Sequence, residues 1–70
     1  MTQVQKLFSK NLKKLRIRKD LTQEELAEKL NISVRYVQRL EGRDCPNVKI
    51  NTIAVLSKIL NAKLVEFFED

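Results

Sequence analysis

A chain of 70 residues is one domain; at that size it buries only about 60% of the surface its unfolded form exposes, so it gains from a partner subunit. Fourteen basic against nine acidic residues, no histidine and one cysteine leave no metal-spaced cluster, no glycine-rich phosphate loop and no poised acid–base pair, so no enzyme, catalytic residue, metal or cofactor is expected. The apolar runs are too short to cross a membrane, no apolar leader opens the chain, and a lone cysteine suits a reducing cytoplasm.

The positive charge is concentrated. Residues 1–21 hold seven basic residues and one acidic, whereas residues 22–48 sum to −1 and residues 49–70 to zero. Such a segment suits a polyanion better than an evenly charged surface does. It coincides with a first helix read from about Gln5 to Lys19, in which Leu7, Phe8, Leu12 and Leu15 share a face and Lys6, Lys10, Lys13 and Lys14 project elsewhere. Asp20-Leu21 connects it to the next element.

Thr22 is a good N-cap, and Glu25 three residues later completes a capping box. Leu26, Ala27 and Leu30 then form one apolar face. Asn31 enters the left-handed region cheaply and reverses the chain. Ser33 caps a further helix running to Glu41, with Val37 and Leu40 inward and Val34, Arg35, Gln38 and Arg39 outward; Gly42 ends it. Residues 22–42 therefore read as a helix-turn-helix head. Arg43 to Val48 is a loop by composition, in which Pro46 keeps Cys45 extended. A helix follows from about Ile50 to Leu60, with Ile53, Leu56 and Leu60 facing one way and Lys49 a poor cap. Val55 and Ile59 fall almost opposite Ile53, on a face that a monomer leaves wet. With Leu64, Val65, Phe67 and Phe68 behind them they form an association surface; that one or both phenylalanines instead close the small core stays open.

The run Thr-Gln-Glu-Glu-Leu-Ala, then Asn-Ile-Ser, then Val-Gln-Arg-Leu-Glu-Gly resembles the helix-turn-helix domain of the Cro/CI-type bacterial and phage repressors, and is similar to the small controller proteins of restriction–modification systems. With flanking helices the resemblance covers about residues 5–68 of a single domain, 1–70. It implies an all-α, compact five-helix fold like that of lambda repressor. It further implies that Arg16 pairs with Glu41, tying the first helix to the head, and that Gln23 bonds to a phosphate. Dimerisation through the C-terminal region is common in stand-alone members, which assigns Val55, Ile59, Leu64, Phe67 and Phe68 to a homodimer interface.

The expected partner is double-stranded DNA, whose major groove admits one helix and distinguishes all four base pairs. Base reading falls to Ser33, Val34, Arg35, Gln38 and Arg39. Arg35 leads, since a guanidinium can donate two bonds to guanine, and Val34 can meet a thymine methyl. One of Gln38 and Arg39 can equally end on a phosphate. Phosphate contacts fall to Gln23, Tyr36, Arg43 and Asn47, with the Tyr36 ring also a candidate for packing between helices. A lone head makes few base contacts, so an inverted-repeat operator with half-sites about 34–36 Å apart is expected. The competing reading is an antitoxin-like interaction module whose C-terminal apolar surface holds a protein partner.

Overall fold

The computed structural model describes residues 2–70. Four α-helices follow one another, α1 (Gln3–Arg18), α2 (Gln23–Leu30), α3 (Val34–Leu40) and α4 (Ile50–Ile59), and a short 3-10 helix (Leu64–Phe67) closes the chain; no strand occurs among the described residues. The expected fifth helix is thus a single 3-10 turn. Glu66 folds back to accept the Lys63 N–H at 2.7 Å, and the carbonyls of Phe67 and Glu69 go to the Asn11 side chain rather than to a further helical turn.

Helix starts follow side-chain chemistry. Thr2 caps α1, with its hydroxyl accepting the Gln5 N–H at 3.1 Å and Gln5 Oε1 accepting the Thr2 N–H at 2.8 Å. The helix therefore begins before Gln5, where periodicity alone starts it. Thr22 and Glu25 make the same reciprocal box on α2, and Ser33 Oγ accepts the Tyr36 N–H on α3. Lys49 gives α4 no side-chain cap, as its chemistry predicts.

Helix ends share one device. Asp20, Asn31 and Asn61 have φ of 58°, 57° and 49°. At each, the next residue's N–H reaches back across the turn: Leu21 to Arg16, Ile32 to Ala27 and Ala62 to Ser57. These are Schellman closures, usually made by glycine, here made by the two residue types that otherwise tolerate the left-handed region. The chain's one glycine is used differently. Gly42 does not have positive φ, but a Cβ there would sit 3.0 Å from the Gln38 carbonyl oxygen. A side chain there would press on the Gln38 carbonyl, which would have to give by a few tenths of an ångström.

The core is one cluster. Phe8, Leu12 and Leu15 of α1 meet Leu26 and Ala27 of α2, Val37 and Leu40 of α3, Leu56 and Leu60 of α4, and Cys45, Ala62 and Phe67. The Phe67 ring stacks on Phe8 with centroids 5.6 Å apart. Of the two roles left open for Phe67, interface or core, its burial fits the core: it has no exposed surface, because a chain this small needs its bulkiest side chains to fill its own interior. Leu7 is only half-buried, and Ile53 packs at the edge of the cluster.

Two polar side chains of α1 pin distant backbone. Ser9 Oγ donates to the Gly42 carbonyl at 3.0 Å. Asn11, almost fully buried, donates to the carbonyls of Phe67 at 3.1 Å and Glu69 at 2.7 Å. Asn11→Ala leaves both carbonyls without this donor, and we expect a loss of about 1–3 kcal/mol in urea unfolding.

Candidate nucleic-acid interface

The head is assembled from α2, the turn at Asn31–Ser33 and α3. Hydrogen bonds from Thr22, its backbone N–H first and its side chain second, hold the Glu25 carboxylate below its ordinary range, with Lys29 adding a favourable charge. The charged carboxylate thus stays on the first turn of α2, where the helix dipole favours it. Val37 and Leu40 lock α3 into the core. At about 100° per residue, Arg35, Gln38 and Arg39 then share the opposite face, and all three are exposed. Ser33 is exposed but its hydroxyl is occupied as a cap. Val34 and Tyr36 stand on the flanks, half-buried against the core. The ring of Tyr36 thus packs, as one of its two open roles required.

Behind the head lies a buried ionic knot. Arg16 Nε donates to Glu41 Oε2 at 2.7 Å and Nη2 to Oε1 at 3.1 Å, while Nη1 reaches the Leu21 carbonyl at 2.7 Å. The two side chains are 10% and 3% exposed. Gln23 Nε2 donates to the same Glu41 Oε1 at 3.1 Å, a contact that nothing in the sequence signalled. The first turn of α2 is therefore tied to the residue that caps the C-terminal end of α3. No buried side-chain polar atom lacks a partner among the described residues.

The four residues assigned to phosphate are not all together. Gln23 and Tyr36 belong to the head, and Arg43 is exposed just beyond α3. Asn47 is turned elsewhere: its Oδ1 accepts Gln5 Nε2 at 3.2 Å, while the same amide reaches the Cys45 carbonyl at 3.0 Å. Gln5 lies about 16 Å along α1 from Arg16 at the helical rise, so Asn47 stands at the far end of the loop from Gln23. Cys45 is buried, which pushes its thiol up in pKa against the opposing charge of Arg39. It is a packing residue, not a poised thiolate.

The apolar C-terminal surface survives without Phe67. Val55, Leu64 and Phe68 are exposed, at 44%, 54% and 37%. Ile59 is half-buried against the core. Ile50, at 83%, and Val65, at 58%, add to the wet apolar surface. Ile50 escaped the helical-face reading because it stands at the first position of α4, outside the Val55–Ile59 stripe.

No helix among the described residues is long and apolar enough to cross a membrane, and none of their His, Cys, Asp or Glu groups could hold a metal ion. A family model described as helix-turn-helix matches residues 12–67. Among solved structures, the wild-type restriction–modification controller protein C.Esp1396I is similar, with 32% identity over 97% of this chain and 87% of that one and a TM-score of 0.80. No curated protein matches the chain.

The knot generates one prediction. Glu41→Ala strands the Arg16 guanidinium in the interior and should cost about 3–5 kcal/mol. Replacing Arg16 and Glu41 together by Met and Leu should recover most of that loss in urea unfolding.

Proposed function

We propose, given that the chain belongs to the helix-turn-helix family, that this sequence-specific DNA-binding regulator acts as a homodimer on an inverted-repeat operator. Its likeness to a restriction–modification controller protein favours control of an operon of that kind. The observation that carries the reading is the outward triad of α3. Arg35, Gln38 and Arg39 share one exposed face, and that face is held on a rigid base by the Arg16–Glu41 knot.

Arg35 is the principal base reader, by bidentate donation to guanine in the major groove. Gln38 and Arg39 read beside it or reach the adjoining phosphate. Val34 and Ser33 meet the groove from the first turn. Gln23 retains a free carbonyl and one amide hydrogen beyond its bond to Glu41, and this hydrogen, with the free N–H groups of the α2 terminus, serves a phosphate. Tyr36 through its hydroxyl and Arg43 add backbone contacts, while Asn47 supports the loop. The partner subunit covers Val55, Leu64 and Phe68, with Ile59 beneath them. Burial of these side chains offsets the small core of a chain this short.

Selection of bound duplexes from a random pool at two salt concentrations tests the reading. An enriched inverted repeat is expected. Binding without a motif, lost steeply with salt, would shift weight to a protein-interaction role for the same apolar surface. Arg35→Ala should weaken the selected operator by about 1–3 kcal/mol with unchanged helical content. Val55→Glu should shift sedimentation toward monomer while leaving the fold intact.

A further inference from the structure

The helix α1 carries no acidic residue: residues 2–19 contain six lysines and arginines up to Arg18, a seventh at Lys19, and neither Asp nor Glu. Lys6, Lys10 and Lys13 repeat at i, i+4 and i+7, which places them within about 60° of one another on the face turned away from Leu12. All three are exposed, and the ion pairs among the described residues are Arg16–Glu41 and Arg18–Glu66 alone. Like charges at this spacing destabilise a helix by about 0.2–0.5 kcal/mol per pair. A stripe that costs stability and has no neutralising side chain is built for an external anion.

Its position says which one. The edge of α1 made by Gln5, Ser9 and Arg16 lies along the segment that leaves α3: Arg16 holds Glu41, Ser9 holds the Gly42 carbonyl, and Gln5 holds the Cys45 carbonyl. Lys13 is one turn from both Ser9 and Arg16, so the stripe is the next row outward from that edge. The exposed Arg43 stands on the segment itself. The stripe thus runs beside the segment that leaves α3, from Lys13, one turn from Arg16, to Lys6, next to Gln5 at the far end of that segment. Lys14 differs, since it borders a cleft that also carries Glu66, Glu69 and Asp70. Glu66 there is held below its ordinary pKa by the Lys63 N–H and then by Arg18, so the Lys14 side of α1 faces negative charge.

We infer that Lys6, Lys10 and Lys13 bind the phosphate backbone of the duplex flanking the half-site, beyond the base pairs that α3 reads. The inference rests on the DNA-binding reading above. The stripe is about 10 Å long at the helical rise, and laid along a duplex it spans about three phosphates of one strand. It contributes affinity and salt dependence without sequence information.

The test uses the full chain and the selected operator as two duplexes, one trimmed to the inverted repeat and one extended by about ten base pairs, a helical turn, on each side. Anisotropy titrations across salt should show the wild type binding the long duplex more tightly and with a steeper salt slope. The triple variant Lys6→Gln, Lys10→Gln, Lys13→Gln should erase that difference, with the slope shallower by about 0.9 for each phosphate contact removed. Lys14→Gln should leave it in place. Glutamine matches lysine in helix propensity, and circular dichroism checks that α1 is retained. Equal wild-type behaviour on both duplexes would overturn the flanking contact. An unchanged triple variant that had lost affinity for polyglutamate would overturn it in favour of an acidic protein. Selection that returns no motif would instead defeat the regulator reading on which the inference stands.

Discussion

One guanidinium holds three parts of this protein in register. Arg16 grips the Glu41 carboxylate at the end of α3 and the Leu21 carbonyl at the entry to α2, and it grows from the last turn of α1. Glu41 in turn holds the Gln23 amide. The planar fork of arginine makes this possible, because it presents donors in two directions at fixed angles; an ammonium would be a point charge. A buried pair of this kind adds little net stability over a well-packed apolar pair. Its value lies in orientation. A packing of α1 on the head that broke the pair would strand a charge.

The rest of the frame economises on size. Seventy residues cannot enclose much volume, so Phe8 and Phe67 are drawn into contact from near the two ends of the chain. Asn11 secures the backbone at Phe67 and two residues beyond it. Reversals are short and made without glycine, through Asp20, Asn31 and Asn61. Each fixes a left-handed residue at lower unfolded-state entropy than glycine would carry. The single glycine stands where a Cβ would press closely on the Gln38 carbonyl.

What the core does not need is left on two surfaces of different chemistry. The outward row of α1 is cationic and lacks acidic neighbours on its own helix. The region around Val55, Leu64 and Phe68 is apolar and wet. The α3 face is a third, carrying the polar and cationic side chains of Arg35, Gln38 and Arg39. Each surface is a stretch of chain that the folded interior failed to consume.

The amino-acid sequence by itself determined the local chemistry. The Thr22–Glu25 box, the Asn31 reversal, the Ser33 cap and the inward Val37 and Leu40 depend on neighbours three or four residues apart, so their pattern carries the answer. The outward set Arg35, Gln38 and Arg39 follows from the same periodicity. Thr2 and Gln5 form a second capping box that was equally readable from its spacing. Tertiary structure alone decided the rest. It chose Phe67 for the core and left Phe68 partly exposed, although both are phenylalanines in one apolar run. It joined Gln23 to Glu41 and Asn47 to Gln5. Those outcomes depend on residues many positions apart competing for one small interior and one buried carboxylate, and no local pattern encodes which competitor wins.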